Sequence, residues 1–430
     1  MTWTNWAGNQ TAHPVEEVTP HDADEVVEVV ATARNRGLSV KMPGTGHSFT
    51  DIAVTDGLML RPDSLRGITA VDRDAMTVTV LAGTPLHELN EHLTRLGLSL
   101  HNMGDIQEQT VAGAISTGTH GTGGRVASLC AQVVGLDLVT GEGKQLTATA
   151  EENPDVLALA RLGLGALGVL TSITFAVEPL FTLAAHEAPM SWEEVMTEAD
   201  ALVASNDHFE LYWFPHTTRM MSKRNNRTAD APEPLTRFRG WLDDEFLSNR
   251  AFRWANRLGN LRPALRPRIS DLSARALSER RYSDVPYKVF TSPRRVVFRE
   301  MEYAVPREVG LEALREVRAL IERSDWLISF PVEIRFAPAD DVPLSGAYER
   351  ETVYLAFHTN PQTDHTAYFA GVERLLRGYG GRPHWGKLHT RTAADLAADY
   401  PPWQDFLDMR DRLDPDRVFA NAYLGRVLGG

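Results

Sequence analysis

The sequence predicts an α+β chain of two domains, and three observations carry that prediction. Its 430 residues exceed the length at which one hydrophobic core usually stops growing. Helical and strand-like segments alternate up to about residue 180. Beyond Pro179 the strand-like segments differ in polarity between their two parities, as expected of an antiparallel sheet with one packed face.

In the first part, residues 24–36 place Val26, Val29, Val30 and Ala33 at helical spacing. Acidic residues come early, Arg34 and Arg36 come late, and Gly37 is the stop. Residues 38–42 then read as a short strand and 76–81 as another. Residues 85–96 align Leu86, Leu89, Leu93 and Leu96 on one helical face, Gly97 closes that helix, and a strand begins at Leu98. Residues 157–177 could span a bilayer by length alone. Arg161, Gly163, Gly165, Gly168 and the β-branched second half instead read as a helix end, a turn and a buried strand.

In the second part, 209–214 reads as a strand and 308–323 as a helix built on Val309, Leu311, Leu314, Val317, Leu320 and Ile321. Residues 219–282, rich in Arg, Asn and Pro, are expected to form helices or long excursions. Phe330, Val332, Ile334 and Phe336 share one parity, and Glu333 and Arg335 share the other. Val353, Leu355 and Phe357 likewise oppose Tyr354 and His358. Such a polar face is either a platform for a substrate or a solvated face with a surface ion pair.

The net charge of −13 argues against nucleic acid or an anionic membrane as the main partner, although a cleft can be locally basic. Cys130 is the single cysteine, so neither an intrachain disulfide nor a thiolate metal cluster is available, and a reducing cytoplasm fits. The stretch Met1-Thr2-Trp3-Thr4-Asn5-Trp6 lacks the basic and apolar parts of a secretory signal.

Chemistry concentrates in two loops. Pro43-Gly44-Thr45-Gly46-His47-Ser48 continues through Phe49 and Thr50 to Asp51, and Thr117-Gly118-Thr119-His120-Gly121-Thr122-Gly123-Gly124 echoes it. Either loop alone is a common turn. Two of them beside apolar segments point to a diphosphate held from two sides by backbone N–H groups. Neither is a G-x-G-x-x-G at a strand-to-helix turn followed by an acid, which speaks against a Rossmann site. No H-E-x-x-H occurs, and His101, His120 and His358 are not expected to bind a metal. A last polar–aromatic knot, 382–389, sets Lys387 between Trp385 and His389. That lysine is either surface or, in a cleft, a cation for a charge formed in the reaction.

Taken together these segments resemble the FAD-dependent sugar-1,4-lactone oxidoreductases of the vanillyl-alcohol-oxidase superfamily, and the resemblance covers nearly the whole chain. It implies an α/β FAD-binding domain over 1–180 and a cap domain with an antiparallel sheet flanked by helices over 181–383. The closing segment, 384–430, would return to the FAD domain. Pro43, Gly44, Thr45, Gly46, His47 and Ser48 match the first pyrophosphate loop, with His47 the residue that usually bonds covalently to the flavin. Residues 104–123 look like the second FAD loop, whence Gly104, Thr110, Gly113, Ser116, Thr117, Gly118, His120 and Gly121. Gly168 and Val169 belong to a segment that lies along the cofactor.

The family's Glu-x-Arg strand matches Glu333 and Arg335, and its His-Trp-x-Lys matches His384, Trp385 and Lys387. The resemblance implies hydride transfer from a substrate CH–OH group to flavin. Glu333 would position or accept the hydroxyl proton, Arg335 would hold substrate oxygens, and Lys387 would stabilise the reduced flavin. Polyol-oxidising relatives usually carry serine where this chain has Asp105 and are shorter in the middle, which favours a lactone over a linear alditol. Gly104 falls near the residue that controls O2 access in relatives and leaves room for oxygen; a redox protein or quinone is the alternative acceptor. A flavin-binding carrier without turnover is the non-enzyme alternative, disfavoured because a carrier has no use for Glu333, Arg335 and Lys387 together.

Overall fold

The computed structural model describes residues 1–123, 128–236, 252–292 and 295–430. Gly124 of the second loop and residues 237–251 of the expected excursion lie outside the described residues.

Two sheets of three and five strands dominate the first part, beside the two-stranded pairs Trp3–Thr4 with Thr11–Ala12 and Leu98–Ser99 with Glu178–Pro179. Glu16–Val18, Leu58–Leu60 and Val40–Lys41 pair in parallel. The predicted helix, Ala23–Asn35, is their crossover, since parallel strands cannot be joined by a tight turn. Asp22 caps it by accepting from the Glu25 N–H at 2.9 Å, and Val26, Val30 and Ala33 are buried. The strand expected over 38–42 shrinks to Val40–Lys41, because the Leu38 N–H still donates to Ala33 O at the helix end and Pro43 has no N–H for a ladder. The second sheet is antiparallel, in the order Gln145–Thr149, Val133–Val139, Val169–Ala176, Thr77–Leu81 and Ile68–Asp72. The early alternation of elements thus builds a parallel sheet and a larger antiparallel one.

The second part is one eight-stranded antiparallel sheet. Its order is Arg280–Asp284, Thr182–Ser191, Arg219–Thr228, His208–Trp213, Val332–Ala337, Thr352–Thr359, Arg299–Pro306 and Arg382–Pro383. One face packs Trp213, Ile334, Phe336, Leu355 and Phe357 against Val317 of helix Arg307–Arg323 and Val372 of helix Thr366–Gly378. The other face carries the charged parity, and it is not solvated: Glu333 is 4% and Arg335 8% exposed. A surface ion pair is thereby excluded.

After Arg382–Pro383 the chain leaves the sheet. Leu396, Phe406, Leu413 and Leu424, from helices Ala393–Leu396, Trp403–Leu413 and Ala422–Leu428, share a core with Val80, Leu89, Ile115 and Leu138 of the first part. Among the described residues no helix is long and apolar enough to cross a membrane.

Candidate active site

Residues 43–48 leave the parallel sheet and run beside the start of helix Val111–Ser116. A Cβ on Gly44 would overlap Thr110 Oγ1, so backbone meets side chain there with no room for more. Gly46 has φ 76°, the left-handed region that glycine enters cheaply. Pro43, Gly44, Thr45, Gly46, His47 and Ser48 line a cavity together with Thr110, Gly113, Ser116, Thr117, Gly168 and Val169. Lys41 lines it too. This lysine is buried and its Nζ has no hydrogen-bond partner. Burial, with Arg410 adding to it and Asp414 opposing, draws its pKa down to about 7. A glycine cradle lined by small hydroxyl side chains, with a lysine among its residues, fits an anionic dinucleotide such as FAD.

A second, smaller cavity adjoins the first and shares His47, Ser48, Gln109 and Thr117 with it. His47 therefore stands at the junction. Its ring stacks on Trp6 at 5.5 Å, its Nδ1 lies 3.1 Å from Thr45 Oγ1, and burial lowers its pKa. The remaining wall includes Gly104, Asp105, His120, Glu302, Arg335, His384 and Lys387.

Strand register explains how the charges meet. Glu210 pairs across the sheet with both Lys223 and Arg335, and Tyr212 pairs with Glu333. Arg335 Nη2 donates to Glu333 Oε1 at 2.5 Å and lies 3.3 Å from Asp105 Oδ2, while its Nε donates to Glu210 Oε2 at 3.2 Å. Tyr212 Oη donates to Glu333 Oε1 at 2.9 Å. Burial alone would lower the Arg335 pKa, but Glu333, Asp105 and Glu210 hold it well above its ordinary value. For Glu210 burial acts upward, yet Lys223 and Arg335 bring it below the usual range.

A second row stands on the neighbouring strand Arg299–Pro306. The His384 N–H donates to Glu302 O at 3.0 Å and the Leu388 N–H to Glu300 O at 2.9 Å, which lays the 384–388 segment along that strand. Lys387 Nζ then donates to Glu300 Oε2, whose other oxygen lies 3.5 Å from His358 Nε2. Against the upward push of burial, Lys387 and His358 bring the Glu300 pKa down to about 2. His120 Nε2 meets Glu302 Oε1 at 2.7 Å, and its ring stacks on Tyr354 at 3.6 Å.

His120, Glu302 and His384 could in principle hold a metal, with their ligand atoms within 4.8 Å of one another. The hydrogen bonds argue otherwise. Gly386 N–H donates to His384 Nδ1 at 3.0 Å, so the proton of the neutral ring sits on Nε2, the atom that would have to bind metal. Burial brings the His384 pKa down to about 3, which keeps that ring neutral.

Three predicted residues stand apart from the described lining of both cavities. Glu333 lies behind Arg335 and holds it. Gly118, at φ 77°, makes the turn after the short helix. Gly121 is glycine because a Cβ would overlap Asn102 Oδ1 and Met103 O. Conversely, Lys41, Glu210, Glu300 and Glu302 carry weight that the sequence reading did not assign. Glu300 and Glu302 alternate with Met301 and Tyr303 as Glu333 and Arg335 alternate with Ile334 and Phe336, and that signal was available.

Residues 173–427 match the D-arabinono-1,4-lactone oxidase family and residues 15–149 the FAD binding domain family. The chain is also 42% identical over 427 residues to an L-gulono-1,4-lactone dehydrogenase of Mycobacterium tuberculosis, covering 99% of each chain. This chain belongs to the D-arabinono-1,4-lactone oxidase family. Among other family relatives, an L-gulonolactone oxidase of Mus musculus is 32% identical over 438 residues, covering 100% of this chain and 98% of the other. Cholesterol oxidase from Brevibacterium sterolicum superposes with a TM-score of 0.82 at 17% identity, covering 99% of this chain and 96% of that one, and so shares the fold. The family assignment makes the chain an FAD-dependent oxidoreductase, with an FAD-binding part followed by a sheet-bearing part.

Proposed function

We propose that this enzyme oxidises a CH–OH group of a sugar 1,4-lactone of the gulono-, galactono- or arabinono- type, in the smaller cavity. One observation carries the reading: Arg335, Asp105 and Lys387 face a space that opens, at His47, into the glycine-loop cavity. Residues 1–180 serve as the cofactor domain and 181–383 as the cap, with 384–430 bringing Lys387 back between them. A cytoplasmic location fits the single buried cysteine.

When bound, FAD supplies the two-electron acceptor for the carbon-bound hydrogen. The glycine cradle of residues 43–48 would hold the ADP half, and His47 would tether the flavin covalently. Arg335 holds substrate oxygens through its remaining N–H donors, fixed in place by Glu333 and Glu210. Asp105, the carboxylate of that group on the cavity wall, accepts the hydroxyl proton, and Glu333 positions Arg335. Lys387 adds positive charge where the reduced cofactor becomes negative. O2 is the acceptor, as Gly104 on the wall leaves the reacting face uncrowded.

Anaerobic bleaching of the bound flavin against lactones and linear alditols tests the substrate. Bleaching by alditols alone would discard the lactone reading. Acid precipitation tests the tether: the yellow colour should stay with the protein and be released from His47→Ala. Stopped-flow reoxidation by O2, compared with a dye or cytochrome, decides the acceptor.

A further inference from the structure

The loop that carries His47 is gripped by a segment far from it in the fold's order of assembly, residues 3–12. Trp3–Thr4 and Thr11–Ala12 pair as a small antiparallel hairpin, anchored by Trp3 and Ala12 packing on Met59. Between the two strands, consecutive residues capture the two carbonyls that flank the histidine. The Trp6 N–H donates to Gly46 O at 2.8 Å, and Asn5 Nδ2 donates to Ser48 O at 2.9 Å. Asn9 Nδ2 and Gln10 Nε2 both donate to Phe49 O, at 2.7 and 3.1 Å. The approach is close: a Cβ on Gly46 would come within 3.0 Å of Trp3 Cζ2 and 3.4 Å of Asn5 Cα.

Trp6 then reaches the ring itself. Its indole lies nearly parallel to the His47 imidazole, at 17° and 5.5 Å between centroids. Phe49 at 6.3 Å and Phe298 at 5.4 Å pin the indole in turn, each meeting it edge to face. Phe298 immediately precedes strand Arg299–Pro306, and Arg299 donates to Ala7 O, so the hairpin touches both parts of the molecule where the two cavities join. Trp6 lines the smaller cavity and is absent from the wall of the larger. Glycines on either side of Thr45 leave the loop backbone free to turn, and an imidazole on such a loop has two further dihedrals to settle. A pinned indole against one ring face settles them.

We propose that Trp6 is a positioning residue for covalent attachment of the flavin, holding the His47 ring in the plane from which a ring nitrogen meets the cofactor. The proposal rests on the reading of His47 as the tether. In that step a bond forms between an imidazole nitrogen and the methyl carbon on the flavin ring. A methyl C–H and the imidazole N–H are given up, and the two electrons and two protons stay on the flavin as its reduced form until O2 takes them. The attacking imidazole passes through a positive charge, which an indole face at 5.5 Å favours. Burial, with Lys387 adding to it and Glu108 opposing, lowers the His47 pKa and leaves the attacking lone pair free.

The test is the rate of attachment in enzyme produced under riboflavin depletion and then supplied with FAD. Flavin retained after acid precipitation and the mass of the peptide holding His47 report attachment; total bound flavin and the thermal midpoint are read beside them. Trp6→Leu keeps bulk without a ring to stack, and Trp6→Phe restores a ring. Bound flavin and thermal midpoint should stay near normal in both. Attachment should slow about tenfold or more in Trp6→Leu and largely recover in Trp6→Phe. Attachment at the unaltered rate in Trp6→Leu overturns the proposal alone, since bulk would then suffice. Parallel loss of bound flavin and thermal midpoint in both variants also overturns it, because Trp6 would merely shape the wall. Absence of attached flavin in the unsubstituted enzyme is a different result: it removes the His47 tether itself, and the proposal with it.

Discussion

The two adjoining cavities are built by opposite means. The larger is made mostly of backbone and small side chains from contiguous loops, and its one buried cation, Lys41, stands without a partner. In the smaller, the cations Arg335 and Lys387 are gripped by buried carboxylates, Glu333 on the same strand as Arg335 and Glu210 and Glu300 on others. A cradle for a bound anion can leave its charge waiting, because the ligand brings the partner. A site that must hold its geometry through turnover cannot, because an unfixed charge would reorganise at the moment of reaction. Substitutions in the two cavities should therefore fail differently.

The largest effect belongs to Arg335→Leu. It removes the group that proposed substrate oxygens meet and leaves Glu333, Glu210 and Asp105 facing one another in a buried space. Anaerobic flavin reduction should fall by about 10²–10³-fold. Flavin content should stay near normal, since Arg335 lines only the smaller cavity. Equal loss of flavin would erase the distinction between the cavities.

Glu300→Gln comes next and probes the grip on Lys387. The carboxyl has a folded pKa of about 2 against an ordinary 4.5, so its stabilisation is present above pH 4.5 and is lost as pH falls toward 2. The variant should lose roughly 2 kcal/mol near neutral pH and show a flatter acid limb in urea titrations. An unchanged acid limb would mean that Glu300 is not the group holding the cation.

Lys41→Met probes the other cavity. Burial holds the free amine near pH 7, whereas a bound anion would favour its charged form. In the His47→Ala background, where the flavin would bind reversibly, FAD affinity of the apoprotein should thus decline as pH rises above about 7 and lose that dependence on adding Lys41→Met, with about tenfold weaker binding. Fluorescence titration reads both. Anaerobic reduction of the loaded variant should be nearly normal.

The contrast also explains what the sequence made legible. Residues 43–48 are contiguous and full of glycine and hydroxyls, so their use is written locally. Glu333 and Arg335 were visible through alternation, but their division of labour was not. Whether a carboxylate faces the cavity or braces the arginine depends on cross-strand register, here Tyr212 opposite Glu333 and Glu210 opposite Arg335. The same holds for Glu300 and Glu302, whose partners His358, Lys387 and His120 lie far off in sequence. Lys41 escaped notice because nothing in a strand's pattern says that a lysine will be buried without a partner.

Gly104→Ala should have the smallest effect and tests a part of the wall that belongs to neither mode of construction. A Cβ there would come within 3.1 Å of Thr119 Cγ2 and 3.2 Å of His120 O, tight for ordinary packing yet short of a clash that forces refolding. The methyl would narrow the cavity without touching a charge. Reoxidation by O2 should slow severalfold while anaerobic reduction by substrate changes little, since Arg335, Asp105 and Lys387 keep their partners. Equal slowing of both half-reactions would mean that Gly104 shapes the seat of the substrate, and the choice of acceptor would then have to be sought elsewhere on the wall.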